Sequence, residues 1–414
     1  MSRLSWAARR IRLRHPGAPD PNQERHATWL ELFFDLAFVL ALLGVTARLG
    51  NTASPTMVQL GASLGIYGLV QWSWLGQSFY DTRYDPDDTT HRLLVLTATI
   101  GAGAITIGVM QVPTGLLLPV GYLIVRGCLL VMYLRVLTAD RSARDLVTVY
   151  GVGFGSGWLL WAASLAAPAA ARPVFWVTAL VIELLTPRLG RRWLNRHPVH
   201  TTHLPERLGQ FTIILLGATL TDLRDAVPGA HPPLRVLIAA VVAFLLPVSI
   251  WWIYTTYVTS GLAVPHLGGG QNYAYLHSPA GAAILFLGWS LGAVVHQVKL
   301  SLPVPLTARL VLGGSIVVWM LCGMGLQRFA LGRLARRRML LGLCGIVPTV
   351  VVTVTVTDPG LLLALTAAIL VGYAATVSPE IVEVRDHRSG NGTPAPAVSG
   401  APGSAAPQDP SRRP

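Results

Sequence analysis

The sequence has few charged residues. Asp, Glu, Lys and Arg make up 12% of its 414 residues, hydrophobic residues make up 52%, and the mean hydropathy is +0.53. A water-soluble globular domain carries roughly a quarter of its residues as charged types. Because so little polar surface cannot cover a soluble fold, the composition predicts an all-α, polytopic bundle of transmembrane helices whose apolar exterior faces the lipid bilayer.

Lysine and cysteine are also scarce. Lys299 is the single lysine among 32 basic residues, so the formal net charge of +13 rests on arginine. No basic face interleaved with exposed aromatics appears, and no nucleic-acid partner is expected. Cys128, Cys322 and Cys344 lie in apolar runs without the spacing of a zinc site or the even count of a disulfide framework. We interpret all three as buried thiols.

Enzyme signatures are missing as well. The chain has no Gly-x-Ser-x-Gly elbow, no phosphate-binding Gly-Lys-Ser/Thr loop and no His-Glu-x-x-His motif. His197, His200 and His203 recur every third residue, but Pro198 and Pro205 interrupt the run and no Cys or acid completes a ligand set. We therefore expect neither a cofactor nor a metal.

Long apolar windows are what the sequence does contain. A spanning helix needs about 20 mostly apolar residues. Twelve windows meet this description, and Pro113 and Pro359 mark tight turns between two pairs of them. The windows are 29–49, 57–79, 92–112, 115–137, 146–167, 173–187, 206–222, 234–258, 278–298, 306–327, 338–356 and 359–377.

The basic residues indicate the orientation. With the N-terminus inside, 25 of the 32 fall on the cytoplasmic side and six on the other, and Arg126 lies within a window. Such an excess marks cytoplasmic loops, which predicts a cytoplasmic (inner) membrane protein with both termini in the cytoplasm. Residues 1–28 lack the apolar core of a signal peptide and form either a basic surface helix or a mobile tail. Residues 378–414 become rich in Pro, Gly, Ser and Ala and are expected to be disordered.

Two stretches of the chain resemble each other. Glu24-Arg25 precedes Trp72 by 48 residues, and Glu206-Arg207 precedes Trp251 by 45. Six windows separate the two copies, so both begin on the cytoplasmic side, which predicts a parallel six-plus-six repeat. Chance similarity between tryptophan-containing helices is the alternative. The predicted units are a first transmembrane half (29–187), a cytoplasmic loop (188–205) and a second transmembrane half (206–377).

Several motifs resemble those of the bacterial low temperature requirement protein A family. They are the run from Glu24 to Val39, ERHATWLELFFDLAFV, and the run from His203 to Gly217, HLPERLGQFTIILLG, followed by Trp251-Trp252-Ile253-Tyr254 and Tyr275-Leu276-His277. The resemblance implies a multi-pass membrane protein linked to growth in the cold, without a defined substrate or reaction. Where the family usually has an acidic residue after the Gly of the second run, this chain has Ala218.

Ionisable residues inside the windows are the first candidates for a site, because each costs about 2.5–3.5 kcal/mol or more at the bilayer centre. Glu31 and Asp35 lie four residues apart on one helix face and could share a proton or a cation. Thr28-x-x-Glu31 also reads as a helix-capping box. Arg126 lies in mid-helix and is expected to pair with Asp35 or Glu31, in a structural or a gated ion pair. Glu183 is expected to pair with Arg188 or Arg191 at the interface.

Other candidates lie near the predicted cytoplasmic ends of the helices. Glu206 fits a helix first turn after Pro205, where it could cap the helix or pair with Arg207 as a gate between the halves. His277 is either proton-responsive or interfacial. The aromatic candidates, which could line a cavity or anchor the protein at the interface, are Trp72, Trp74, Trp251, Trp252 and Tyr254.

Three functions fit these features. The leading hypothesis is a secondary-transporter-like protein that moves an unknown small solute or ion with protonation of Asp35 and Glu31. The second is a non-transporting protein that supports envelope or lipid adaptation to cold. The third is an intramembrane lipid-modifying enzyme that uses the same carboxylates. The sequence names neither a substrate nor an oligomeric state.

Overall fold

The computed structural model describes residues 27–50, 54–84, 88–227, 229, 231–259, 270–331 and 336–390. Over these residues the chain is all-helical, with thirteen α-helices and one short 3₁₀ turn. The helices are α1 (Trp29–Ala47), α2 (Met57–Arg83), α3 (Thr89–Val109), α4 (Leu117–Ala139), α5 (Arg144–Ala166), α6 (Arg172–Leu189), α7 (Arg191–Leu194), α8 (His203–Ala226), α9 (Leu234–Thr259), α10 (Gln271–Leu300), α11 (Leu306–Leu331), α12 (Arg336–Thr355) and α13 (Pro359–Gly390).

Nine of the described helices are long and apolar enough to cross a membrane. Every helix except the four-residue α7 overlaps one of the twelve sequence windows, but α2, α6 and α8 are too polar to belong to the nine. The outward faces carry large apolar side chains: Ile100, Val152 and Leu234 are 71%, 65% and 72% exposed. Such an exterior suits a hydrocarbon solvent, while twelve crossings remain a prediction.

The beginning of α1 confirms the predicted capping box. Thr28 Oγ1 accepts from the backbone N–H of Glu31, and Glu31 Oε2 accepts from the backbone N–H of Thr28 at 2.7 Å. This reciprocal pair satisfies two donors that the first helical turn leaves open. Glu31 therefore has one oxygen engaged in the cap and one directed to other partners.

The polar helix α2 is enclosed by the bundle at its C-terminal half. Residues 69–84 are all buried, including Gln71, Ser73 and Gln77, whereas Met57 and Val58 at its beginning are 66% and 81% exposed. The helix contacts α1, α4, α6, α8 and α10, so neighbours surround this half. α2 is too polar to face lipid here and is stabilised by packing on every side.

The neighbours of each helix follow a simple order. In the first half, α1 packs on α2 and α3, and then α3 on α4, α4 on α5, and α5 on α6. In the second half, α8 packs on α9 and α10, and then α10 on α11, α11 on α12, and α12 on α13. Contacts of α1 and α2 with α8 and α10 join the halves. These four helices form most of the interface between the halves, and Tyr275 of α10 also donates to the carbonyl oxygen of Leu184 in α6.

Polar contacts fix the segment at the C-terminal end of α2. α2 continues to Arg83, and Asp81 and Arg83 are buried. Arg83 donates to the carbonyl oxygen of His197, and Asp88 caps α3 and pairs with Arg135 at 2.9 Å. Burial opposes ionisation of Asp88, but the backbone N–H of His91 and the Arg135 guanidinium lower its pKa below the usual value.

Other expectations concern the chain ends and the thiols. The basic segment up to residue 26, with Glu24-Arg25 of the repeat, and the tail from residue 391 lie outside the described residues. α13 continues to Gly390. Cys128 and Cys322 are buried as predicted, but Cys344 is exposed because α12 turns it away from the bundle.

We expect close packing of α3 on α4 to make Gly101 sensitive to substitution. A Cβ at Gly101 would lie 2.9 Å from the carbonyl oxygen of Gly121, whereas a Cβ at Gly103 would meet nothing within 4 Å. Gly101→Ala should therefore lower the free energy of unfolding by about 1–3 kcal/mol through overpacking. Thermal unfolding in detergent measures this, with Gly103→Ala on the same helix as the neutral or slightly stabilising control. Equal melting temperatures for the two variants would contradict the close approach.

Candidate functional site

Four ionisable side chains and one tryptophan meet where α1, α2 and α8 pack together. We call Glu31, Asp35, Trp74, His203 and Arg207 the inter-half cluster. Arg207 Nη2 lies 2.9 Å from Asp35 Oδ1, and Arg207 Nη1 donates to Asp35 Oδ2 at 3.1 Å. The Trp74 indole N–H donates to Asp35 Oδ1 at 2.7 Å. Both charged side chains have 0% exposure, so a fully desolvated ion pair joins the two halves.

Helical spacing explains this arrangement. Glu31 and Asp35 are four residues apart on α1, and His203 and Arg207 are four apart on α8, so each pair lies on one helix face. His203 Nε2 lies 3.6 Å from Glu31 Oε1, beside the Asp35–Arg207 pair. Two acids of one helix thus face two bases of the other in the same order along the chain. α1 and α8 consequently run in the same direction at this contact.

Arg126 does not contact the cluster, and its predicted pairing with Asp35 or Glu31 is wrong. Its Nη2 lies 2.6 Å from Glu183 Oε2, with both side chains at 0% exposure. Tyr122 bridges the pair by accepting from Arg126 Nη2 at 2.9 Å and donating to Glu183 Oε2 at 2.7 Å. The Phe154 ring lies 4.5 Å from the guanidinium carbon. The charge is therefore neutralised within the first half.

The interfacial pairing predicted for Glu183 is also wrong. α6 extends to Leu189, which leaves Glu183 inside the bundle and away from the helix end where Arg188 and Arg191 lie. A Cβ at Gly157 of α5 would lie 2.5 Å from Glu183 Oε1, so a glycine provides room for the carboxylate. The buried acid instead pairs with Arg126 of α4.

Helix α2 contacts both ion pairs. The carbonyl oxygen of Trp72 is 3.5 Å from Arg126 Nη2, and the Trp74 indole binds Asp35. The Trp72 ring stacks on Tyr275 of α10 with an interplanar angle of 1° and a centroid distance of 6.0 Å. Trp72 and Trp74 are both buried, so neither anchors the protein at the membrane surface. Movement of α2 would disturb both pairs.

The aromatic candidates of the second half divide into two groups. Trp251 and Trp252 are 43% and 54% exposed on α9, as expected for residues at the surface of the bundle. Tyr254 and His277 instead line a cavity of about 40 Å³, together with Thr212, Tyr257, Trp319 and Gln327. That volume admits one or a few water molecules.

The hydrogen bonds of His277 define its tautomer. His277 Nδ1 lies 2.9 Å from the carbonyl oxygen of Tyr273, which can only accept, so Nδ1 carries the proton. His277 Nε2 lies 3.3 Å from the Tyr254 hydroxyl, which can then donate to it. Both ring nitrogens are engaged in the neutral form, and the side chain is buried.

Glu206 connects the beginning of the first half to α8. Its Oε1 accepts from the backbone N–H of Ala27 at 3.3 Å and from Gln210 Nε2 at 3.2 Å. It lies in the first turn of α8, as predicted. Arg207, its neighbour in sequence, points instead to Asp35. The ion pair between α1 and α8 therefore has Asp35, and not Glu206, as its acid.

His203 is the residue that sequence reasoning missed. The sequence pattern groups it with His197 and His200 as a possible ligand run that prolines interrupt, and that interpretation includes no pairing with an acid. α8 begins at His203, so Pro205 lies in its first turn, where proline is tolerated. The spacing of four residues to Arg207 was the available signal. Among the described residues, no group of three or more His, Cys, Asp or Glu side chains is placed to hold a metal.

Apolar spans with a charged interior define the class: this is a multi-span helical membrane protein. The family model for the bacterial low temperature requirement A protein matches residues 26–375, and the chain belongs to that family. An uncharacterized protein of Rhizobium meliloti (strain 1021) is 27% identical over 254 residues, which are 55% of this chain and 58% of that relative. The chain thus spans less than two thirds of that relative's length. No solved structure matches.

We expect removal of one partner of the Asp35–Arg207 pair to lower the free energy of unfolding more than removal of both. Asp35→Asn leaves a buried guanidinium without a counter-charge and should lower the free energy of unfolding by about 3–5 kcal/mol. Asp35→Leu combined with Arg207→Met removes both charges and should recover most of that loss. Equilibrium unfolding in mixed micelles measures each value.

The exposed Asp145–Arg196 pair provides the matched control for this cycle. Its atoms lie 3.1 Å apart, but its side chains are 49% and 66% exposed. Asp145→Asn should change the free energy of unfolding by less than about 1 kcal/mol. If Asp35→Asn had an effect as small as this, the buried pair would not join the halves.

Proposed function

We propose that this protein is a secondary-transporter-like membrane protein that moves a small solute or ion across the cytoplasmic membrane, with protonation of its buried carboxylates. The observation that carries this proposal is the Asp35–Arg207 ion pair, buried at 0% exposure between the two halves of the chain. Ionisable groups in a bilayer are expensive and typically mark ion or substrate pathways. A charge pair across the interface between halves is also a contact that the halves must break to separate.

The order of helix contacts supports a parallel six-plus-six repeat. α8 to α13 share several neighbour pairs with α1 to α6: first with second, first with third, third with fourth, fourth with fifth and fifth with sixth. The contact of α9 with α10 has no counterpart of similar size between α2 and α3. The parallel direction of α1 and α8 at the cluster agrees with this relation. Transporters with parallel repeats place substrate and ion sites at the interface between the repeats. The inter-half cluster lies at this interface.

The ends of the interface differ in packing, which supports alternating access. By the charge of the loops, the cluster lies toward the cytoplasm, and there residues 69–84 of α2 are completely buried. At the opposite ends of α1, α8 and α10, a cavity of about 170 Å³ is lined by residues that include Thr46, Asp222, Trp289 and His296. In our proposal this form is closed to the cytoplasm by the cluster and hydrated from the outer side.

A specific observation favours a second candidate, a non-transporting membrane protein that acts in envelope adaptation to cold. The aromatic cavity of about 40 Å³ is too small for most solutes, and α2 is tightly packed around the cluster. In this alternative the charges fasten helices together. Membership of a family named for low temperature requirement gives both candidates a context in cold growth.

Flux measurements distinguish the two candidates. Protein reconstituted in proteoliposomes with a trapped pH-sensitive dye is given an inward pH gradient, with Na⁺, K⁺, amino acids and sugars as successive probes. We expect proton movement that depends on one of these probes. The Asp35→Leu/Arg207→Met variant, which we expect to keep its fold, should lose this proton movement, and Asp145→Asn should keep it. Absence of flux with every probe would favour the non-transporting candidate.

Cross-linking tests whether the cytoplasmic contact opens. Ala27 and Glu206 are in hydrogen-bond contact across the halves, at 3.3 Å between Ala27 N and Glu206 Oε1. In a background without the three native cysteines, Ala27→Cys with Glu206→Cys joined by a short bifunctional reagent should abolish flux, and a cleavable reagent should restore it after reduction. Each single cysteine variant is the control. Undiminished flux in the cross-linked protein would show that this contact does not open during transport.

A further inference from the structure

The charges of the inter-half cluster do not balance without a proton. Asp35 and Arg207 neutralise each other through two short contacts, and Trp74 donates a further hydrogen bond to Asp35. Glu31 is then the remaining carboxylate of the cluster. It is 6% exposed, and the cluster contains no second arginine to neutralise it. A lone carboxylate is too costly to bury in a low-dielectric interior. Its neighbour His203, at 3.6 Å and 0% exposure, is the group that can supply the missing positive charge.

The other carboxylates near the cluster have hydrogen-bond donors of their own. Glu206 of α8 accepts from Ala27 N–H and Gln210. Asp81 of α2, whose charge also acts on Arg207, lies 3.7 Å from His91 and accepts from Gln77. Both are acids and bring no positive charge to Glu31. The basic groups that act on Glu31 are Arg207, which is bound to Asp35, and His203.

We propose that Glu31 and His203 form a binding site for one exchangeable proton, while Asp35 stays ionised against Arg207. The proton is held either as an imidazolium beside a carboxylate or as a carboxylic acid beside a neutral imidazole. Both forms contain one proton and leave the cluster neutral. The site therefore binds H⁺ as a unit, and its titration belongs to the pair.

The chemistry of the pair favours a proton over a metal cation. Na⁺ and K⁺ are hard cations that require several oxygen ligands, in the manner of other hard ions. Here Glu31 Oε2 is engaged by the backbone N–H of Thr28, and Glu31 Oε1 faces a ring nitrogen. One free oxygen and an imidazole do not form such a shell. They are suited to a shared proton.

This inference narrows the proposed function, because it assigns the proton to Glu31 and His203 and leaves Asp35 ionised. It rests on that function only for the role of the proton, which would be the coupling ion of transport. Release of the proton leaves a net negative charge next to the Asp35–Arg207 pair, inside the contact that closes the cytoplasmic end. The pair would thus link protonation to the stability of the closed form. Binding of the proton is an equilibrium property that can be measured without any transport.

The test measures proton linkage of unfolding for the full chain in mixed micelles. Above about pH 7 the free His and Glu side chains of the unfolded chain hold no proton, whereas the folded cluster holds one. The unfolding equilibrium constant should therefore rise about tenfold per pH unit, until the folded cluster also releases its proton. Below about pH 6 the unfolded imidazole is protonated too, and this dependence disappears.

Two substitutions separate the members of the pair. Glu31→Gln keeps the capping box, because Gln is also found at this position of such boxes. It should abolish the tenfold change of the unfolding equilibrium constant per pH unit. The Glu31→Gln/His203→Gln double variant should show the same pH dependence of unfolding as Glu31→Gln. His203→Gln alone leaves the proton on Glu31, so one linked proton remains in a different pH range. His231→Gln, which alters an exposed histidine, and Asp145→Asn should retain the original profile.

The outcomes separate the possible sites. A Glu31→Gln variant with the original profile would overturn the proposal, and so would a parent protein without any pH dependence in this range. If Asp35→Leu/Arg207→Met lost the dependence while Glu31→Gln kept it, the proton would belong to Asp35. If exchange of a choline buffer for Na⁺ or K⁺ stabilised the folded protein in place of the proton, the site would be a metal-cation site. Loss of the linked proton in Glu31→Gln without flux in the parent protein would support this site and contradict transport.

Discussion

The ion pair between Asp35 and Arg207 is the constraint on which the arrangement of the two halves depends. A guanidinium and a carboxylate that are both removed from water lose hydration that only close mutual contact and added hydrogen bonds can offset. The structure provides both, since two nitrogens of Arg207 face both oxygens of Asp35 and Trp74 donates to the same carboxylate. α1, α2 and α8 must therefore meet at one depth. The contacts of Glu31 with His203 and of Ala27 with Glu206 follow from that alignment.

The second buried pair has the same chemistry but a different consequence. Arg126 and Glu183 connect α4 to α6 within one half, with Tyr122 between them, so they stabilise that half and do not oppose separation of the halves. Helix α2 contacts both pairs, through the Trp72 carbonyl and the Trp74 indole. A rigid helix that is bonded to both pairs can transmit a change at one to the other.

The sequence predicted what depends on position along one helix and missed what depends on neighbours. The capping box at Thr28, the burial of Asp35 and the family follow from local spacing and composition, and each is found. The partner of Arg126 was wrong because depth along a helix says nothing about which face meets which neighbour. Arg126 of α4 is directed to Glu183 of α6, which lies at a compatible depth in the bundle. His203 was missed because prolines nearby suggested a loop, whereas Pro205 lies within the first turn of α8.

Charge neutrality explains why a contact of this kind can both hold and release. A pair of opposite charges that separates into water regains its hydration, so the net cost of opening is far smaller than the Coulomb energy of the closed pair. A cluster with one unbalanced charge is destabilised in its closed, dry form but loses that penalty once water enters. In the proposed proton site, addition or removal of a single proton between Glu31 and His203 would therefore change the stability of the closed form more than that of the open form. The balance between the two forms can shift without any change in the Asp35–Arg207 pair itself.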